Sequence, residues 1–361
     1  MKQTSLANGH PTGSVAFQYQ VNEKMTVGIA AFTPSALGSE WKDLFIGPYP
    51  GYGESPAYPD KDWSSDMFVL DIHPTIGYQL ADWISVGAGI GIKYTSIKLQ
   101  SPVLVPGVDP STGDRLPLPG SHYFVDGILT GTGIGFGFNL GVLVHPTDYF
   151  HVGISYIGPT TVPIEGKVEQ TVYLPAMTGL DNFYGEPDAT ADFPLPQEFS
   201  VGFALDMNDR LTVAFDANWT GWGDLDVITI EQDGIGPTGA PAEDSDLVLE
   251  WADTWRYNWG VSYQATDDLE LLGGFYYDPT PIPDKTMRPT ISDVANKKSV
   301  SLGFQYMLGQ SFTVSGYYEH LFSFENDARA RDNDGDGMFD NVPGTWKLNV
   351  DTIGVQFGYR F

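Results

Sequence analysis

The sequence predicts an all-β protein, a transmembrane antiparallel β-barrel, and three observations support this fold class. Apolar residues alternate with small or polar residues along most of the chain, which is the period of a strand with two different faces. Short and long connections alternate between these segments, as do the periplasmic turns and extracellular loops of an outer-membrane barrel. No segment approaches the roughly 20 continuous apolar residues of a membrane-spanning helix.

The alternation is clearest in residues 84–93, 211–220 and 255–264, each with a large apolar face opposite a small or polar one. A soluble β-sandwich also alternates, but it buries its large residues in one shared core and exposes Lys and Glu. The predicted strands hold few charged residues. That scarcity is expected on a lipid-facing wall, where a Lys or Arg at mid-bilayer costs roughly 2 to 4 kcal/mol.

The connections set the strand count and the orientation. Six are tight, near residues 22–23, 81–82, 146–148, 208–209, 266–268 and 309–310. Long segments lie between them, at about 34–66, 100–122, 158–195, 221–251, 278–296 and 323–348. The predicted strands are 14–21, 25–33, 67–80, 83–99, 123–145, 149–157, 197–207, 210–220, 253–265, 269–277, 298–308, 311–322 and 349–361. Single-chain bacterial barrels have an even number of strands, so these 13 predict a parent barrel of about 14 whose first strand is absent here.

Composition and the two ends of the chain narrow the function. The 361 residues include 46 acidic and 18 basic ones, a net charge of -28, which excludes a nucleic-acid partner because phosphates need cations. The absence of cysteine leaves no disulfide framework.

Residues 1–13 lack the apolar core of a secretory signal. At the other end, apolar residues at every second position up to Phe361 resemble the signal read by the barrel-assembly machinery. We therefore expect the outer membrane of a Gram-negative bacterium.

Four segments carry a family resemblance. They are 189–197 (ATADFPLPQ), 216–222 (DANWTGW), 253–257 (DTWRY) and 277–284 (YDPTPIPD). In order and spacing, over essentially the whole chain, the sequence resembles the outer-membrane long-chain fatty acid transport (FadL) family, which includes TodX-like aromatic-hydrocarbon channels. The resemblance implies a 14-stranded barrel plugged by an N-terminal hatch with an Asn-Pro-Ala-type motif. No segment before the first predicted strand matches that hatch or its motif, so we expect one barrel domain over residues 1–361 without the N-terminal hatch.

The resemblance also implies passive uptake of long-chain fatty acids or hydrocarbons, with lateral release into the membrane at a kink in the family's third strand. Residues 25–37 match that strand, and Phe32 and Pro34 are the candidate path residues. Pro34 cannot donate to a β-ladder and would open it locally, or it merely ends the strand. Each methylene removed from water contributes roughly 0.8 kcal/mol, which favours an apolar path.

Two cations are predicted to face the lumen. Lys93 and Arg256 occupy the polar face of their segments, where a cation is the natural partner of a carboxylate ligand. The alternative is an internal salt bridge to a lumen acid such as Asp71, Asp216 or Glu319.

An acidic segment predicts a calcium site in an extracellular loop. Residues 332–340 read D-x-D-x-D-G-x-x-D, and alternate carboxylates around a glycine suit an ion that takes six to eight oxygens. The candidate ligands are Asp332, Asp334, Asp336 and Asp340. The segment resembles thrombospondin type 3 and dockerin loops, but Pro343 stands where an EF-hand has Glu. The alternative is a solvated acidic loop.

The leading hypothesis is thus an outer-membrane channel for hydrophobic compounds, and not an enzyme. Its expected partners are a fatty acid or hydrocarbon, outer-membrane lipid and lipopolysaccharide, and the assembly machinery, and we expect a monomer. The alternative is a non-transporting surface barrel whose acidic loops bind calcium or a partner.

Overall fold

The computed structural model describes residues 3–6, 12–42, 44, 62–106, 122–173, 183–237, 239–291, 293–331 and 341–361. These residues are almost entirely β-structure, apart from two 3-10 turns at Trp222–Asp224 and Asp284–Thr286. Within them, no helix has the length and hydropathy that crossing a membrane requires.

The described residues form twenty strands between the turns and loops. In chain order they are β1 Ser14–Asn22, β2 Met25–Trp41, β3 Trp63–Ala81, β4 Ile84–Pro106, β5 His122–Thr147, β6 Phe150–Ile157, β7 Thr160–Tyr173, β8 Phe183–Gly185, β9 Asp188–Leu195, β10 Glu198–Asn208, β11 Leu211–Thr220, β12 Val227–Asp233, β13 Ser245–Val248, β14 Thr254–Gln264, β15 Leu269–Asp278, β16 Lys297–Leu308, β17 Phe312–Ser323, β18 Asn326–Ala328, β19 Gly344–Trp346 and β20 Asn349–Tyr359.

Thirteen of these strands form the wall, and they are the 13 that the sequence predicts. The wall is one antiparallel sheet in the order β1 to β6, β10, β11, β14 to β17 and β20. Each wall strand neighbours the wall strands that precede and follow it along the chain, and short turns alternate with long segments between them. Among the described residues, β1 pairs only with β2 and β20 only with β17. The antiparallel all-β fold is confirmed.

The two faces of the wall follow the predicted alternation. The apolar row of β14 is exposed, with Trp255, Trp259 and Tyr263 at 40 to 45%. On the other face, Asn258 donates hydrogen bonds to Asp216 and Asn218. Large apolar side chains therefore point outward, where lipid would cover them, and polar side chains bond to one another inside.

Three long segments predicted as loops contain strands of their own, which corrects that part of the prediction. In the segment 323–348 these are the short strands β18 and β19. Residues 160–173 and 188–195 form β7 and β9, which extend the wall beyond the turn at Gly158. The segment 221–251 contributes β12 and β13. Strands β7, β9, β12 and β13 form an antiparallel ladder that begins at β5, so their backbone polar groups bond to one another.

The long loops pack into a core of their own at the end opposite the short turns. Its buried side chains come from loops that are far apart along the wall: Leu44, Trp63, Ile282, Met287, Val294, Ala295, Ala328, Val342 and Trp346. Trp41, at the end of β2, donates a hydrogen bond to the carbonyl of Pro289. β2 and β15 are eight positions apart in the sheet, roughly 38 Å if the sheet were flat. These contacts indicate that the wall rolls round on itself.

Candidate transport path

A break in the ladder between β2 and β3 lies at Pro34. Phe32 is opposite Asp71 and Ser35 is opposite Val69, so Thr33 and Pro34 together face one residue of β3. From Met25 to Phe32, the even-numbered side chains of β2 lie on the same face of the sheet as Asp71. From Ser35 to Trp41, the odd-numbered ones do, because the extra residue shifts the alternation by one position. The strand continues to Trp41, so Pro34 interrupts β2 and does not end it.

The other edge of β2 also loses its neighbour at this level. The pairing with β1 ends at Ser14 opposite Phe32. Among the described residues, the next backbone bond along that edge is the one that Leu6 N–H donates to the carbonyl of Glu40. Among the described residues, the part of β2 beyond Pro34 therefore has few partners on one side and an irregular ladder on the other, which favours local opening.

A buried polar cluster lies directly beside the break. The Lys93 ammonium donates to Asp71 at 2.7 Å, and the Asp71 side chain is only 1% exposed. The His73 ring lies 3.3 Å from the same carboxylate through Nδ1 and 2.9 Å from the Asn139 side-chain oxygen through Nε2. Phe32 covers the cluster, with its ring centroid 6.0 Å from that of His73. Lys93 therefore forms an internal salt bridge with Asp71, which is the alternative that the sequence analysis gave to a role in ligand binding.

Two buried hydroxyls near this cluster have no partner among the described residues. Thr95 and Thr160 are 0% and 2% exposed, and neither Oγ1 atom makes a hydrogen bond. Both lie close to Lys93: Thr95 is two residues along β4, and Thr160 and Lys93 both approach Gly137. A buried hydroxyl without a partner costs free energy, so a polar group that bonds to Thr95 or Thr160 would stabilise this part of the wall.

Arg256 lies on the lumen side of β14 without an ion pair within 4.0 Å in the described part of the chain. Its guanidinium lies 5.6 Å from the ring centroid of Tyr276, and the Tyr276 hydroxyl donates to Glu319 at 3.2 Å. Glu198 interacts electrostatically with both Arg256 and Lys93. Of the two predicted lumen cations, Lys93 is held in an ion pair with Asp71, whereas Arg256 makes no ion pair among the described residues and can donate hydrogen bonds to a ligand.

A concavity of about 480 Å³ opens nearer the short turns, a size typical of small-molecule sites. Glycine and serine leave this space because they add little volume to the wall. Its lining residues are Ser85, Val86, Gly87, Gly141, Val142, Leu143, Gly153, Ile154, Ser155, Ser200, Gly202 and Asp216. The wall strands β4 to β6, β10 and β11 thus enclose a groove with a mixed polar and apolar surface.

The predicted calcium segment, with Asp332, Asp334, Asp336 and Asp340, lies outside the described residues. In the described part of the chain, no three His, Asp or Glu side chains converge so as to hold a metal ion.

Some groups around the path were not singled out from the sequence. Asn139, Thr95 and Thr160 join the cluster through pairings between strands that are up to 66 residues apart. For Asn139 and Thr95 the only sequence signal was a place on the small or polar face of a predicted strand, and Thr160 had no such signal because residues 158–195 were predicted as a loop. That signal places a residue in the lumen but does not select its neighbours.

The fold and its two-faced wall define the class of protein, a β-sheet membrane protein of the outer membrane. Residues 3–361 match the family model described as outer membrane protein transport protein (OMPP1/FadL/TodX). The chain belongs to that family, which places it among outer-membrane transport proteins and not among enzymes.

The relatives agree with the assignment at low identity. An outer membrane protein of Neisseria meningitidis serogroup B is 23% identical over 243 residues, 64% of this chain and 52% of that protein. A Pseudomonas aeruginosa FadL homologue matches with a TM-score of 0.73 and 20% identity, over 95% of this chain and 76% of that one. The Pseudomonas putida toluene transporter TodX matches with a TM-score of 0.76 and 19% identity, over 99% and 84%. These two likenesses concern the fold. The chain spans about half the length of the Neisseria relative.

Proposed function

We propose that this protein is a passive outer-membrane channel for hydrophobic small molecules, fatty acids or hydrocarbons, and that it releases them sideways into the membrane. The observation that carries the proposal is the break at Thr33 and Pro34, where two residues of β2 face one of β3. Family membership supports the transport class. The name of TodX, a toluene transporter, supports the hydrophobic substrate class.

The surroundings of the break suit a solute with an apolar body. Phe32 supplies an aromatic surface on the lumen side, and outward apolar residues such as Ile29 and Ile72, 48% and 41% exposed, offer a lipid-like exit. A solute moving from the lumen to that exit keeps its methylenes out of water, at roughly 0.8 kcal/mol each. The solute would move from the lumen to the membrane because its surroundings become more apolar along the path, and no energy source is needed.

Arg256 is the candidate for a carboxylate end of the solute, because its guanidinium is free of an ion pair among the described residues. Lys93 is held by Asp71, so we assign it to maintaining the wall beside the exit. A hydrocarbon substrate would not need Arg256, and a fatty acid would bind it through charge-assisted hydrogen bonds. Transport of the two solutes by Arg256→Gln therefore separates these substrates.

The test repairs the break. Deletion of Thr33 combined with Pro34→Val gives β2 one residue opposite Leu70 and restores a donor to the ladder. In liposomes, uptake of a labelled fatty acid and of toluene should fall at least tenfold, while the matched control Thr33→Ser should match the wild type. Folding of every variant is checked by circular dichroism and by heat-dependent migration on gels. Unchanged uptake by a folded repaired variant would refute lateral release here, and no uptake by the wild type would refute transport.

The proposal extends to the surroundings and the acidic loop. Outer-membrane lipid and lipopolysaccharide would contact the outward apolar rows, and the assembly machinery would read the alternating residues up to Phe361.

Calcium would bind residues 332–340 and stiffen that loop, because three alternate carboxylates flank a glycine there. The acidic loops also motivate the alternative function, a non-transporting surface barrel that binds calcium or a partner.

A further inference from the structure

Two histidines face each other on the lumen side of the wall, at the end with the short turns. His145 belongs to β5 and His151 to β6, on either side of the hairpin turn. Their Nδ1 atoms are 2.6 Å apart, with the rings at 78°. Two nitrogen lone pairs repel at this distance, so a proton or a cation must lie between them.

A carboxylate fixes the orientation of one ring from behind. Asp206, on the neighbouring strand β10, accepts a hydrogen bond from Nε2 of His151 at 3.1 Å. Thr212 in turn donates to Asp206 at 2.6 Å. In a neutral His151 ring whose Nε2 proton bonds to Asp206, the Nδ1 lone pair points at His145. This carboxylate-to-imidazole arrangement is the one that orients histidines at metal sites.

The pair can be reached by solutes in the lumen. His151 lies opposite Ala204 in β10 and His145 adjoins the outward Val144, so both rings point to the inner face. The side chains of His151 and Asp206 are 28% and 38% exposed. An ion in the lumen could therefore bind while keeping some of its water ligands.

We propose that His145 and His151 bind one divalent transition-metal ion of the Zn²⁺, Cu²⁺ or Ni²⁺ type through their Nδ1 atoms, with water completing the coordination. Imidazole suits these ions. Bonds of about 2.0 Å at a tetrahedral angle set the nitrogens roughly 3.3 Å apart, so the rings must separate by about 0.7 Å. Only two protein ligands take part, in keeping with the absence of a three-ligand cluster among the described residues. The ion would link β5 to β6 at the end of the wall that carries the short turns.

The experiment titrates the purified full chain in detergent with Cu²⁺ alone and records electron paramagnetic resonance spectra. One tightly bound ion with hyperfine coupling to two equivalent nitrogens is expected, and Zn²⁺ should displace it. His145→Gln and His151→Gln should each weaken binding at least 100-fold. Asp206→Asn, which retains both ligands, should weaken it about 10- to 100-fold.

His320→Gln is the matched control. His320 also bonds to a carboxylate, Asp351 at 2.8 Å, but no second histidine adjoins it among the described residues, so Cu²⁺ binding should stay unchanged. The proposal fails if the spectra show only oxygen ligands, as binding by acidic loops would give. It also fails if both His145→Gln and His151→Gln retain wild-type affinity, or if His320→Gln lowers the affinity as much as they do.

Discussion

The ion pair beside the break in β2 gives the sharpest stability prediction. Lys93 lies 2.7 Å from Asp71, and their side chains are 11% and 1% exposed. Lys93→Met removes the cation and leaves a buried carboxylate whose remaining side-chain contact among the described residues is the His73 ring at 3.3 Å. Removing one partner of a buried pair costs roughly 3 to 5 kcal/mol, because the other charge is left uncompensated. We expect the free energy of unfolding to fall by about that amount.

The double variant tests whether the charge itself is the cause. Asp71→Asn alone should cost roughly 3 to 5 kcal/mol, but Asp71→Asn combined with Lys93→Met leaves no buried charge and should cost about 0 to 2 kcal/mol. The two substitutions would therefore be strongly non-additive, with a coupling of several kcal/mol between neighbouring sites.

The assay is reversible urea unfolding in lipid vesicles, followed by tryptophan fluorescence from the chain's nine tryptophans. Lys42→Met is the matched control: Lys42 also binds an aspartate, Asp62 at 2.9 Å, but it is 52% exposed, and the midpoint should not change measurably. Costs that simply add in the double variant, or a Lys93→Met cost below about 1 kcal/mol, would refute the reasoning.

Three further predictions concern other parts of the molecule. In Gly133→Val, the new Cβ would overlap the backbone of Pro163 in β7, so unfolding should become easier by roughly 1 to 3 kcal/mol, whereas Gly153→Ala, with open space at its Cβ, should equal the wild type. Burial raises the pKa of Asp293 despite the nearby Lys297 ammonium. At a pH between the unfolded and the folded pKa, the folded chain therefore holds a proton on Asp293 that the unfolded chain has lost. Loop stability, measured by hydrogen exchange, should therefore decrease as pH rises from the unfolded pKa to the folded one, and Asp293→Asn should flatten that slope. Millimolar calcium should raise the melting temperature of the wild type but not of Asp334→Ala, and equal melting curves would leave the acidic loop without a calcium role.

Much of the fold could be predicted because the relevant signal is local. A strand with one lipid face and one wet face must alternate at every second residue, so Trp255, Trp259 and Tyr263 show their orientation without knowledge of their neighbours. The segments 158–195 and 221–251 were harder to predict. Strands β7 and β12 alternate as regularly as the wall strands, with Val162, Ile164 and Val168 buried between exposed neighbours. They lack the exposed face of large apolar residues that marked the wall strands. The sequence analysis accordingly treated them as loops.

The candidate site divides along the same line. The sequence placed Lys93 and Arg256 on the polar face and singled out Pro34, because parity and the missing N–H are properties of single positions. It left open whether Lys93 meets a ligand or an acid. That question depends on register, since Asp71 reaches Lys93 only if β3 and β4 align residue 71 with residue 93.

By itself, the sequence determined the wall: 13 strands, their inward and outward faces, the six tight turns and the anomaly at Pro34. Each follows from spacing within a few residues. Only the tertiary structure decided which polar groups meet, namely Lys93 with Asp71 and His145 with His151, and how the loops form one core around Met287. The physical reason is that these contacts join strands or loops through register and curvature, which arise only when the whole sheet assembles.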